Sequence, residues 1–170
     1  MEIPRGVLAA LYWLHILATV VWLGSQALLA WLKLQESRPG PNQALYEGLV
    51  RQNQRRFVAA GWLSLLVLAG TGMFQLSANA NYHGFLAITN FWSVAILIKH
   101  ILYAVLIGIN LYQSFGLAPA LERTRLRVSR GLVTATDSVA RLRLQETWLF
   151  RINLGLTLLI LVFTAIARSA

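Results

Sequence analysis

Charged residues are so sparse in this chain that long stretches of it can only be buried, either in protein or in lipid. Residues 6–32, GVLAALYWLHILATVVWLGSQALLAWL, contain no Asp, Glu, Lys or Arg, and Lys99 is the single charged residue between Arg56 and Glu122. Of the 170 residues, 57% are hydrophobic and 12% are charged, which is far more apolar than a soluble domain of this length. The sequence therefore predicts an integral membrane protein.

Four apolar runs are each long enough to cross a bilayer as a helix. They cover roughly residues 6–33, 56–78, 88–117 and 147–167, and each reaches the ~20 residues that the hydrocarbon core requires. The first run is too long for the apolar part of a signal peptide, and we expect it to be retained. We therefore predict an all-α fold: an up-down-up-down four-helix bundle that forms a single transmembrane domain over residues 1–170.

The basic residues predict how these helices are oriented. The connecting loops at residues 34–55 and 118–146 hold nine of the 15 Lys and Arg residues, whereas the loop at 79–87 has no formal charge. By the positive-inside rule both basic loops face the cytoplasm, and the 79–87 loop and both termini lie outside. Most of the basic residues behind the net charge of +9 lie in these two loops. They are not interleaved with exposed aromatic residues, as they would be in a groove that binds nucleic acid, so we expect no nucleic-acid partner. The expected location is the bacterial inner (plasma) membrane.

Each apolar run carries a stripe of polar or small residues spaced three, four or seven positions apart, which places them on one helix face. The stripes are His15, Thr19, Trp22 and Gln26 in the first run, Gly61, Ser64, Thr71 and Gln75 in the second, Lys99, Tyr103 and Asn110 in the third, and Asn153, Thr157 and Thr164 in the fourth. Such residues turn from lipid toward other helices, so the stripes predict the interior of the bundle. For Ser64, Thr71 and Thr157 we expect a role in close helix packing only.

His15 and His100 are the main candidates for function, because ionisable groups inside a membrane are expensive and usually functional. At ~1.5 Å per residue they lie ~13 Å and ~18 Å from the outer ends of the first and third runs. In an up-down-up-down bundle these helices are diagonal, on the order of 13 Å apart, which suits a flat macrocycle between two axial histidines. The small side chain of Thr19 would leave room for the edge of the macrocycle. Trp22 and Tyr103 belong to the same stripes as His15 and Lys99 and would line the macrocycle. The alternative is that His15 is a buried histidine that hydrogen-bonds to Tyr103 or Gln26.

Lys99 lies beside His100 in the middle of the third run, far from either interface. Neighbouring residues on a helix point ~100° apart, so Lys99 and His100 cannot both ligate one iron. We predict His100 as the second axial ligand and keep Lys99 as the alternative ligand or as a cation beside a haem propionate. The chain has no cysteine, which excludes iron–sulfur clusters and covalently attached c-type haem.

Four short motifs carry a family resemblance: LHILATVVWLG, RRFVAAGWLSLLVLAGTGMFQL, IKHILYAVLIG and RINLGLTLLILVFTAIA. They resemble motifs of the copper-resistance-D-like (CopD) membrane proteins and of their relatives, the HemJ-type protoporphyrinogen IX oxidases. The resemblance implies a b-type haem and functional importance for a first-helix histidine and a third-helix lysine, which match His15 and Lys99. It also implies that Trp22 and Gly24 belong to the family pattern. The arginine-rich loop at 118–146 departs from HemJ-type enzymes, and two methionines without any cysteine provide few soft ligands for copper.

We therefore expect a b-type haem-binding protein that acts in electron transfer or redox chemistry near the outer half of the bilayer. If it is an enzyme, it is expected to be a haem-dependent oxidoreductase. Its expected partners are the lipid bilayer, other membrane subunits or a second copy of the chain, and a quinone or redox protein. The alternatives are an accessory subunit of a larger membrane complex without its own haem, a HemJ-like protoporphyrinogen oxidase and a copper-related transporter.

Overall fold

The computed structural model describes residues 4–36, 40–84, 88, 90–131 and 136–169. Within these residues the regular secondary structure is helical, and no strand is present. The elements are α1 (Arg5–Glu36), α2 (Gln43–Ser77), α3 (Phe91–Leu111), a π-helical segment (Tyr112–Leu117), α4 (Ala118–Ser129) and α5 (Thr136–Ser169).

Four stretches of these helices are long and apolar enough to cross a membrane, which confirms the predicted all-α membrane class. They are Arg5–Leu32, Gln52–Ser77, Phe91–Val128 and Ser138–Ser169. Large apolar side chains along them are exposed, among them Trp13 at 71%, Leu66 at 69% and Phe115 at 74%. A water-soluble protein rarely exposes apolar surface on this scale, whereas lipid tails are as apolar as these side chains.

The chain divides into two compact units, Met1–Tyr82 and His83–Ala170. In the first unit α1 and α2 pack as an antiparallel pair. Near the start of α1, the carbonyl of Leu11 accepts a hydrogen bond of 3.3 Å from Gln75 Nε2 near the end of α2. At the other end, the rings of Trp31 and Tyr46 meet edge-on with 5.8 Å between their centroids. Contacts at both ends therefore fix the register of this pair.

Trp22 lies buried in the middle of the interface between α1 and α2, with 3% of its surface exposed. Its indole ring lies over Gly61 on α2, where an added Cβ would be 3.1 Å from Trp22 Cζ3. A side chain at position 61 would therefore push the indole away from the α2 backbone. The glycine is what allows this close approach of the two helices.

In the second unit α3 and α5 pack against each other and also run antiparallel. Asn110 Nδ2 on α3 donates to Asn153 Oδ1 on α5 at 3.3 Å. Further along the chain from Asn110, the Tyr112 hydroxyl accepts a hydrogen bond of 3.0 Å from Gln145 Nε2, which precedes Asn153 on α5. The order of these contacts along the two helices establishes their opposite directions.

The helix that begins with α3 changes to a π-helix at Tyr112–Leu117 before it continues as α4. At the end of this segment the N–H of Ala118 donates to the carbonyl of Gln113, a step of five residues instead of four. Single π-helical turns inside α-helices are rare and frequently mark functional sites. The apolar composition of the third run did not predict this change, because hydrophobicity does not report the hydrogen-bond step.

Candidate cofactor site

His15 lies on α1 about ten residues after the first residue of the helix, Arg5, or roughly 15 Å along its axis. Its imidazole is half-buried, and Nδ1 is 2.8 Å from Oγ1 of Thr71 on α2. Thr71 is buried, with 6% of its surface exposed. The antiparallel packing of α1 and α2 therefore places a hydroxyl directly against one ring nitrogen of this histidine.

Small residues lie around the contact between His15 and Thr71. At Gly72, beside Thr71, an added Cβ would lie 3.5 Å from His15 Cε1, an ordinary van der Waals distance. The Thr19 hydroxyl, one turn along α1, donates to the backbone carbonyl of His15 at 2.8 Å. Because this bond satisfies the hydroxyl proton within α1, Thr19 can lie beside an apolar group without a loss of hydrogen bonding. Its contact with a cofactor stays a prediction.

Trp22 is among the most deeply buried side chains of the first unit, and its ring packs on Gly61. It lies seven residues, or about two turns, beyond His15 on the same face of α1. The structure therefore makes Trp22 part of the α1–α2 packing. Its predicted role in lining a cofactor is not tested by this contact.

His100 lies on α3 about nine residues after Phe91, or roughly 14 Å along the helix axis. The start of α3 is defined by a capping box, in which the side chains of Asn90 and Ser93 each accept a hydrogen bond from the backbone N–H of the other. The half-buried imidazole has its Nδ1 2.7 Å from the carbonyl oxygen of Ile96. A carbonyl oxygen can only accept, so Nδ1 carries the hydrogen, and in the neutral ring the lone pair lies on Nε2.

Lys99 and Tyr103 are half-buried on α3 beside His100. Neither α3 nor the part of α5 that follows Glu146 contains an Asp or a Glu. The two helices of this pair therefore contribute no carboxylate along their apolar lengths. A positive charge on Lys99 has to be balanced, if at all, by an acidic group from another source.

Both intramembrane histidines thus have Nδ1 in contact with an oxygen of their own unit. Histidines that ligate metals characteristically donate their other ring N–H to such an oxygen, which fixes the ring and directs the remaining nitrogen at the metal. Within its own unit, each imidazole therefore has the arrangement typical of a metal-ligating histidine, with Nε2 as the nitrogen suited to coordination. Among the residues that the structure describes, no group of three or more His, Cys, Asp or Glu is clustered so as to hold a metal ion.

Thr71 is a contact that the sequence pattern alone does not reveal, since a hydroxyl at helical spacing is assigned to packing. The contact can nevertheless be derived from the register between the polar stripes of α1 and α2. Gln75 lies opposite Leu11, and moving four residues along each helix in opposite directions brings Thr71 opposite His15. If the pair of Leu11 and Gln75 had been known, the antiparallel geometry would therefore have identified the pair of His15 and Thr71.

A second polar cluster lies in the second unit, between α3, the π-helical segment and α5. Asn153, of which 2% is exposed, accepts a hydrogen bond from Asn110 at 3.3 Å and donates to Gln113 Oε1 at 3.5 Å. The Thr157 hydroxyl donates to the backbone carbonyl of Asn153 at 2.8 Å. Three carboxamides are therefore joined in one row within the helix pair.

Comparison with known proteins gives no match: no family model, no curated protein and no solved structure matches this chain. The resemblance to CopD-like and HemJ-type proteins therefore stays a prediction from the four motifs. A proposal for function has to rest on the chemistry of the residues themselves.

Proposed function

We propose that this protein binds one b-type haem within the membrane and acts in electron transfer, with His15 and His100 as axial ligands. The observation that carries the proposal is shared by the two imidazoles: each lies within an apolar helix, with Nδ1 against an oxygen and Nε2 as the nitrogen suited to coordination. A bound haem would supply one-electron exchange at its iron. The chain's part is to hold both rings in the ligating state and to exclude water from them.

The proposed topology is an up-down-up-down bundle in the bacterial inner membrane, with both termini and the loop between α2 and α3 outside. This orientation follows from the charge distribution between the loops. In this proposed topology α1 and α3 would both start at the outer face, with His15 roughly 15 Å along α1 and His100 roughly 14 Å along α3. Similar depth is what ligation of one iron from two helices requires.

Lys99 has a supporting role in this proposal. Its ammonium group would neutralise a carboxylate of a bound cofactor, such as a propionate, because an unpaired charge in an apolar setting is unfavourable. Lys99 as the second ligand in place of His100 stays the alternative. A quinone or a redox protein at the outer face is the proposed electron partner.

Absorption spectra of the detergent-purified protein, oxidised and then dithionite-reduced, test the proposal. We expect the sharp reduced α band of a b-type haem in the wild type and its loss in His15→Ala. The matched control is His83→Ala, because His83 is exposed in the connection between α2 and α3 and should leave the spectrum unchanged. A folded His15→Ala protein that retains its full haem content would contradict the proposal.

The second ligand is assigned by comparing His100→Ala with Lys99→Ala. Loss of the low-spin spectrum in His100→Ala and its retention in Lys99→Ala supports His100, and the reverse result assigns Lys99. A featureless spectrum from folded wild-type protein, produced with haem supplied to the cells, would favour the accessory-subunit alternative. Subunits that co-purify with the chain would then define its complex.

A further inference from the structure

The hydrogen bonds around His15 contain enough information to locate one proton. Thr71 Oγ1 is 2.8 Å from His15 Nδ1 and 2.6 Å from the carbonyl oxygen of Val67, one turn back on α2. A threonine hydroxyl has one hydrogen to donate, and a carbonyl oxygen can only accept. The hydroxyl hydrogen therefore points to Val67, and toward His15 the same oxygen acts as an acceptor. It follows that Nδ1 of His15 carries a hydrogen.

We propose that Thr71 is the positioning residue that selects the tautomer of His15, holding the neutral ring with its hydrogen on Nδ1 and its lone pair on Nε2. Free neutral histidine in water prefers the opposite tautomer, with the hydrogen on Nε2. Thr71 is buried, so bulk water is a poor substitute for its oxygen at this point. This inference rests on the proposed function only in that Nε2 is the nitrogen presented to the iron.

The acceptor on Nδ1 also influences the ligand strength of Nε2. An oxygen that accepts the Nδ1 hydrogen increases electron density on the ring and makes Nε2 a better donor to a metal. The hydroxyl's own bond to the Val67 carbonyl polarises its oxygen and strengthens this effect. A stronger imidazole donor stabilises ferric over ferrous iron, so Thr71 lowers the reduction potential of a haem ligated by His15.

The tautomer itself can be measured without haem. The chain has three histidines, His15, His83 and His100, so a protein labelled with ¹⁵N-histidine gives a spectrum that single His→Ala variants assign. In the protein from haem-deficient cells, with helix content checked by circular dichroism, we expect His15 to show a protonated Nδ1 and a pyridine-type Nε2 that carries no hydrogen. A wild-type His15 with its hydrogen on Nε2 would overturn the proposal without any Thr71 variant.

Thr71→Val and Thr71→Ser form the matched pair of variants. Valine keeps the shape but removes the acceptor, and we expect the tautomer ratio of His15 to shift toward Nε2–H by about fivefold or more, the change that corresponds to one ordinary hydrogen bond. Serine keeps the hydroxyl and should retain the wild-type tautomer. A folded Thr71→Val protein with the wild-type tautomer ratio would contradict the assignment to Thr71.

A second readout separates this inference from the proposed function. In haem-loaded protein we expect Thr71→Val to raise the reduction potential and Thr71→Ser to leave it near the wild-type value. If the tautomer shifts as expected but the wild type binds no haem, the proposed function fails and the role of Thr71 stands. If haem is bound and the Thr71→Val potential and tautomer are unchanged, the role of Thr71 fails and the proposed function stands.

Discussion

At two positions of α2, the residue type is determined by contacts with α1 and not by the α2 helix itself. Gly61 lies under the ring of Trp22, where an added Cβ would come within 3.1 Å. Thr71 donates to Val67 in its own helix while its oxygen faces His15 across the interface. In both cases the helix alone would accept many residues, and the neighbouring helix makes the position specific.

Gly61→Ala should destabilise the α1–α2 pair by about 1–3 kcal/mol, the usual effect of overpacking. The new Cβ would press on an indole that is 3% exposed and has little room to move. Gly70→Ala on the same helix is the control, because nothing lies within 4 Å of a Cβ there and alanine favours the helix by ~1 kcal/mol. The free energy of unfolding in detergent micelles distinguishes the two variants. Equal stability of both would mean that the indole yields to the methyl group.

Among the helices, α3 and α5 are connected by carboxamides rather than by charges. Asn153 is buried and bonds to Asn110 on one side and to Gln113 on the other. Gln113 lies within the π-helical segment, so the change in helical step and the polar row occur at the same place. The row therefore joins α5 to a point where the backbone of the α3 helix is already irregular.

Asn153→Ala is expected to weaken the α3–α5 pair by roughly 0.6–1.7 kcal/mol, which runs from the average to the maximum measured for polar contacts between membrane helices. Gln145→Ala is a suitable comparison, since Gln145 is exposed. Its hydrogen bond to the Tyr112 hydroxyl is also exposed, so solvent can replace it. Thermal or denaturant unfolding of both variants in micelles checks the difference. A stability loss in Gln145→Ala as large as that in Asn153→Ala would argue against a special role for the buried amide.

Helix boundaries show what the pattern of apolar residues can and cannot predict. The second and fourth runs were expected from residues 56 and 147, whereas α2 begins at Gln43 and α5 at Thr136. The added turns contain Arg, Gln, Leu and Glu, which are good helix formers but interrupt the continuous run of apolar residues. An apolar run thus marks the part of a helix that suits hydrocarbon, not the helix itself.

For the molecule as a whole, composition and charge spacing were sufficient to predict an all-α membrane protein with four long apolar helices. The stripes also anticipated buried polar residues, of which Ser64, Thr71, Asn153 and Thr157 are buried in the structure. The contact between His15 and Thr71 was not predicted, because periodicity gives the face of a helix but not the register between two helices. The ligation of haem by His15 and His100 stays a prediction for the same reason.

The proposed topology can be mapped by single-cysteine labelling, because these 170 residues contain no cysteine. We expect Ala80→Cys, in the connection after α2, to react with a membrane-impermeant maleimide on intact cells, and Glu122→Cys on α4 to react only after permeabilisation. Both positions are exposed, so a difference in labelling reports the side of the membrane. The opposite pattern would reverse the orientation and place the histidines near the cytoplasmic face.

The pairing of His15 with Thr71 within one helical hairpin has a consequence for how the chain is made. Both residues belong to Met1–Tyr82, so they have emerged from the ribosome before α3 and α5 are complete. The imidazole can therefore find its hydrogen-bond acceptor as soon as α2 enters the bilayer. A nascent chain is thus spared an interval in which the His15 imidazole faces lipid and waits for a partner from the second half.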